Sequence, residues 1–169
     1  GGTASSHNSG GNLEVAPPHP GFPFGRLLVG GGDQGTLCSA PNYEHMAVQQ
    51  KSWLDAQEVQ GPTLELSSEW LAVGHIDEIF LAVPSTTLPG TWKYVLASPD
   101  MAIAALQELA TQGQGQRIVF AGRETETTVS ELLANEELMS YNTLAQARVD
   151  MVRLRLMEEI GLSEDDFLE

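Results

Sequence analysis

Glu69-Trp70-Leu71-Ala72-Val73-Gly74-His75-Ile76-Asp77-Glu78-Ile79-Phe80-Leu81-Ala82-Val83-Pro84 is the stretch on which the reading of this chain turns. It closes in an unbroken apolar run, Ile79 to Val83, that Pro84 cuts short. A short, bounded run of this kind predicts a buried strand rather than a helix. Just before it sit an imidazole and two carboxylates. On an extended backbone, residues two apart face the same side. His75 and Asp77 are therefore predicted to face one pocket, while Ile76 turns away. Gly74, with no side chain, lets the backbone bend or a ligand approach closely. An imidazole takes and returns protons near neutral pH. A carboxylate accepts paired N–H bonds from a planar guanidinium. A lone His-x-Asp pair is more often a structural hydrogen bond or a surface pair, so spacing alone leaves the chemistry open.

Working outward, Thr63-Leu64-Glu65-Leu66 alternates as a strand does, and Gly25-Arg26-Leu27-Leu28-Val29-Gly30 is an apolar strand framed by glycines. Gly30-Gly31-Gly32 lacks the Lys-Ser/Thr of a phosphate loop. Between these strands, Met46, Gln50, Trp53, Leu54 and Gln57 recur at helical spacing, which predicts a helix over about 42–57 with its Met and aromatic stripe in the core. Trp92 to Ala97 reads as a strand. Pro99 opens a helix through about Thr111, with Met101, Ala105, Leu106 and Leu109 inward, and Arg117 to Phe120 reads as a further strand. A short helix holds Val129, Leu132 and Leu133. A longer one, about 136–159, carries Leu138, Tyr141, Ala145, Val149, Val152 and Leu156 on one face. Ser163-Glu164-Asp165-Asp166 has the cap-and-acid pattern of another helix start. Residues 1–25 are rich in Gly, Ser, Pro and His, with 1–9 expected to be flexible.

The chain has 169 residues, enough for one buried core. Its 8 basic and 23 acidic residues give a net charge of −15, which argues against non-specific binding to nucleic acid or to an anionic membrane. One cysteine, Cys38, forms no intrachain disulfide and signals no zinc cluster, which favours a reducing, cytoplasmic compartment. No apolar stretch approaches the roughly 20 residues of a membrane helix.

The segments Ala56-Gln57-Glu58-Val59-Gln60-Gly61-Pro62 and Ser68 through Glu78 resemble the protein-arginine deiminase family in its catalytic domain. That family carries A-Q-x-V-Q-x-P and then S-x-W-L-x-V-G-H-x-D-E. Gly11-Asn12-Leu13-Glu14-Val15-Ala16-Pro17-Pro18 is similar to its G-N-L-E-V-x-P-P, and Lys93 through Pro99 to its strand ending in L-A-S-P. The resemblance implies an α/β fold, about two ββαβ units of a five-bladed propeller of the guanidino-modifying (pentein) type, with residues 1–169 a fragment of the catalytic domain. It implies hydrolysis of peptidyl-arginine to citrulline and ammonia through a cysteine-linked intermediate, acting on arginine-containing proteins. His75 and Asp77 match the catalytic histidine and the second aspartate, and Val73 a residue lining the arginine stem. Calcium is implied too, held by Glu14 and the carbonyls of Leu13 and Gly10. Gly10 stands where the family often has a bulky residue.

The family's nucleophilic cysteine and first aspartate have no counterpart here. Cys38 precedes the histidine, and its neighbours do not match. The fragment is thus expected not to turn over alone. Two rival readings are a non-catalytic propeller module that binds calcium or a protein, and a metal-dependent hydrolase using His75, Asp77 and Glu78.

Overall fold

The computed structural model describes residues 6–32 and 45–168. Cys38 and the expected helix start at 42 lie outside these. The strands and helices run β1 (Leu13–Ala16), β2 (Arg26–Gly31), α1 (Val48–Asp55), β3 (Leu64–Ser67), β4 (Phe80–Pro84) and β5 (Trp92–Leu96). They continue with α2 (Pro99–Leu109), β6 (Ile118–Val119), β7 (Thr127–Thr128), α3 (Val129–Ala134), α4 (Glu136–Ile160) and β8 (Phe167–Leu168). The fold is mixed α/β, and its sheets among the described residues are open.

The chain divides into two compact units, Gly1–Ala97 with Arg148–Glu169, and Ser98–Ala147. The first unit holds two three-stranded sheets of one design. In each, an antiparallel pair is extended by a parallel third strand reached through helical sequence. β1 and β2 pair antiparallel with Leu13 opposite Val29, and β3 joins β2 in parallel with Leu28 opposite Leu64. β4 and β5 pair antiparallel with Phe80 opposite Leu96, and β8 joins β5 in parallel with Tyr94 opposite Phe167. Parallel pairing needs a long crossover, and α1 supplies it in the first case. In the second case the connection from β5 to β8 runs through α2, β6, β7, α3 and α4.

β2 is buried from Leu27 onward, as expected of an apolar strand covered on both faces. Leu27, Val29, Met46 and Leu54 pack beside it. In the second sheet Tyr94 lies between Phe80 and Phe167, with ring centroids 5.8 and 5.9 Å apart. From α4, Val149, Val152, Leu156 and Ile160 are buried at spacings of three and four, the face that the periodicity predicts.

Several expectations need correction. The run Ile79–Val83 is not buried throughout: Leu81 is 55% exposed, because β4 has one covered face and one open face. The helix expected over 42–57 spans Val48–Asp55 within the described part, Ala47 being extended, and Trp53 points outward at 64% exposure. In α2, Met101 and Ala105 face solvent, while Ile103, Leu106 and Leu109 form the half-buried side. Ser163 does cap a turn, but only the single 3-10 turn Glu164–Asp166, which delivers the chain into β8 rather than into a helix.

The second unit is built largely from local signals. Ser98 caps α2, accepting the Met101 N–H at 3.3 Å. Thr128 and Glu131 form a reciprocal capping box at α3. β6 and β7 make a two-residue antiparallel ladder.

Candidate active site

The site begins with a buried amide. The 3-10 turn Gly10–Asn12 enters β1 and puts Asn12 out of contact with solvent. A buried amide must satisfy its donors and its acceptor. Asn12 Nδ2 donates to the carbonyls of His7 (2.9 Å) and Gly30 (2.8 Å). Its Oδ1 accepts the Gly30 N–H (2.9 Å) and the Ile76 N–H (3.2 Å). One side chain thus ties together the N-terminal turn, the centre of β2 and the middle residue of His75-Ile76-Asp77. Ser68, also fully buried, donates to the Gly74 carbonyl at 2.6 Å and anchors the other end of that loop. Gly30 carries no side chain because a Cβ there would stand 2.2 Å from both Asn12 Oδ1 and Ser68 Oγ.

Gly74 has φ +80, and a Cβ on it would meet the His7 ring at 2.4 Å, so the loop before His75 requires glycine. His75 is extended, and Ile76–Glu78 then turn as a 3-10 helix. The Glu78 carboxylate accepts the His75 N–H at 2.9 Å, a local cap. His75 and Asp77 do share a side, but a turn achieves this rather than the extended strand expected.

His75 Nδ1 lies 4.0 Å from Asp77 Oδ1, with the imidazole 18% and the carboxylate 46% exposed. His75 Nε2 is 3.0 Å from the Ser6 carbonyl. A carbonyl only accepts, so this contact places the neutral ring's proton on Nε2 and leaves the Nδ1 lone pair facing Asp77. Protonation at Nδ1 would create a cation beside a carboxylate, a sound arrangement for a group that gives and takes protons. Both side chains close around Gly11: a Cβ there would fall 2.6 Å from His75 Nδ1 and 2.7 Å from Asp77 Oδ2.

The remaining sequence candidates are placed as follows. Glu14, half-buried on β1, has its carboxyl pushed above the usual range, first by burial and then by the charge of Asp77. A carboxyl under such like-charge pressure suits a cation. The Gly10 carbonyl accepts the Leu13 N–H and keeps a second lone pair, and Leu13 lies in the β1 ladder. Oxygen donors of this kind fit calcium in type, though they supply only part of its six to eight ligands. Val73 is 48% exposed, and its carbonyl accepts the Ser6 hydroxyl. Cys38 lies outside the described residues. The three-ligand hydrolase reading gains nothing, since no group of three or more His, Cys, Asp or Glu that could hold a metal ion occurs among the described residues.

Asn12, Ser68, Gly11 and Ser6 were not singled out from sequence. Their roles rest on contacts spanning up to 69 positions, as between the Ser6 carbonyl and the His75 ring, and no local spacing announces these.

A family model described as protein-arginine deiminase matches residues 1–169. Protein-arginine deiminase type-4 of Mus musculus is 37% identical over 164 residues, covering 94% of this chain and 24% of that protein. Protein-arginine deiminase type-1 of Homo sapiens is 36% identical over 171 residues, covering 98% and 25%. The type-3 protein of Rattus norvegicus is 35% identical over 178 residues, covering 99% and 26%. The chain therefore spans about a quarter of the length of the curated relatives it matches.

Proposed function

This chain belongs to the protein-arginine deiminase family, and on that premise we propose that it supplies the histidine and one aspartate of a site that converts peptidyl-arginine to peptidyl-citrulline. The observation that carries the reading is the pairing of His75 Nδ1 with Asp77 Oδ1 at 4.0 Å, both partly open to solvent. Asp77 accepts paired N–H bonds from the guanidinium, and Val73 flanks the arginine stem. A cysteine thiolate from sequence outside this chain attacks the guanidinium carbon. The C–N bond breaks, and ammonia leaves with the proton that His75 holds at Nδ1. His75 then takes a proton from water as that water adds to the carbon; the C–S bond breaks and the hydroxyl proton passes to solvent, giving citrulline and the free thiolate. This half-site is not expected to turn over alone.

Glu14 and the carbonyls of Leu13 and Gly10 would hold calcium, whose charge would offset the crowding of Glu14 by Asp77. The two three-stranded sheets suit parts of a five-bladed propeller, and a reducing, cytoplasmic setting suits a thiol nucleophile. The test is citrulline release from an arginine peptide by a protein that contains this chain together with the rest of the family's length, with and without calcium. His75→Ala and Asp77→Asn should each lower the rate at least about a hundredfold. Wild-type turnover in either variant rejects the assignment.

A further inference from the structure

Val73-Gly74-His75 leads into the proposed site, and one residue from far along the chain touches both ends of it. The Ser6 hydroxyl donates to the Val73 carbonyl at 2.5 Å, and the Ser6 carbonyl lies 3.0 Å from His75 Nε2. Between those ends Gly74 sits at φ +80, its own carbonyl accepting the Ser68 hydroxyl at 2.6 Å. Ser6 thus staples the loop on either side of its one left-handed residue. The two nitrogens of the His75 ring face Asp77 on one side and Ser6 on the other.

The Ser6 carbonyl is itself aimed. It opens the 3-10 turn Ser6–Asn8 and also accepts the Ser9 N–H at 2.9 Å, so both of its lone pairs are engaged. His7, next in the turn, is 1% exposed, and its ring occupies the space that a Gly74 Cβ would need. The His7 carbonyl accepts Asn12 Nδ2 at 2.9 Å. Asn8 Oδ1 accepts the Ala47 N–H at 2.7 Å, just ahead of α1. The turn is therefore held through each of its three residues, and the hold that Ser6 provides ends on the ring proposed to move protons.

A neutral imidazole has two tautomers, and the hydrogen bond made by one nitrogen decides what the other can do. With the proton on Nε2 and given to the Ser6 carbonyl, Nδ1 keeps a lone pair beside Asp77, 4.0 Å away. A ring that lost this contact could carry its proton on Nδ1, facing the carboxylate, and would then have no lone pair there to take a proton from water. We propose that Ser6 is a positioning residue for His75: its hydroxyl holds the loop through Val73, and its carbonyl holds the ring in the tautomer that leaves Nδ1 open. The inference rests on the function proposed for His75 and Asp77 and adds a residue outside that pair. A serine that merely braced the loop would change stability and leave the tautomer alone, which makes the two roles separable.

The test uses a protein that contains this chain together with the rest of the family's length, with isotope-labelled histidine for nitrogen NMR. At a pH where the His75 ring is neutral, Nε2 is expected to show the shift of a protonated nitrogen and Nδ1 that of a bare one. Ser6→Ala should draw the two shifts together as the tautomers mix. In citrulline release, Ser6→Ala should lower kcat about tenfold and leave KM within about twofold. Ser6→Thr keeps the hydroxyl and should recover most of the rate and the wild-type tautomer. An unchanged tautomer in Ser6→Ala, a wild-type kcat in that variant, or no recovery in Ser6→Thr would each overturn the proposal. Full turnover in His75→Ala would instead sink the reading of the pair itself, and the tautomer measurement would still decide whether Ser6 sets the ring.

Discussion

The two three-stranded sheets share strand order and pairing, yet they are stabilised differently. In the first, β2 is covered on both faces, and a fully bonded amide, Asn12, is built into its centre. In the second, β5 alternates between covered and open positions, and an aromatic trio closes the covered side. Leu81, Val95 and Leu168 sit opposite one another across the open side, at 55%, 39% and 48% exposure. The contrast teaches where polar groups are held in place in this chain. The unit buried on both faces can hold polar groups in one arrangement, because every alternative leaves an amide unsatisfied in the interior. There the turn bearing His75 and Asp77 is fastened, through Asn12, to the centre of β2.

The largest expected contrast comes from matched truncations. Leu28→Ala, at a fully buried position of β2, should destabilise by about 4 kcal/mol in urea unfolding, whereas Leu81→Ala on β4 should cost within about 0.5 kcal/mol. Equal losses would erase the distinction between a covered and a half-open sheet. Next, Asn12→Ala strands four buried backbone groups and should cost about 3 kcal/mol. A neutral outcome would mean that the amide is not what holds the first unit. Tyr94→Phe should raise stability by up to about 1 kcal/mol, since it deletes a buried hydroxyl that lacks a partner.

The smallest effect concerns pH. Bonds from the Ser163 N–H and hydroxyl, aided by Lys93, hold the Asp166 carboxyl below its usual 3.8. A depressed carboxyl contributes stability that is fully present above its unfolded value and is lost as pH falls through the folded one. Unfolding midpoints should therefore drop on acidification below pH 3.8 in the wild type, and by less in Asp166→Asn.

Much of this was legible in the sequence, for reasons that vary by residue. The face of α4 was readable because Val149, Val152 and Leu156 follow the helical period through a long segment. Leu81 was not, since an unbroken apolar run looks the same whether one face of the strand is covered or both. β8 is two residues long and pairs with a strand about seventy positions earlier, so its sequence reads only as the continuation of a cap. At the site, spacing pointed to His75 and Asp77 sharing a side but supplied the wrong backbone for it. The resemblance, not the spacing, supplied the guanidinium chemistry. Asn12 and Gly11 stayed hidden because their contacts with the His75–Asp77 turn bridge more than sixty residues.

The most direct test is Gly11→Ala in a protein of the family's full length, assayed both for citrulline release and for unfolding. The atoms nearest the added methyl are the ends of two side chains, the His75 ring and the Asp77 carboxylate, which can swing aside at little cost in stability. Displacing them by about an ångström should cost about a hundredfold in rate or more, with the unfolding midpoint near that of the wild type. Turnover at the wild-type rate would contradict the claim that these two groups, closed around Gly11, are where the arginine head is held and transformed.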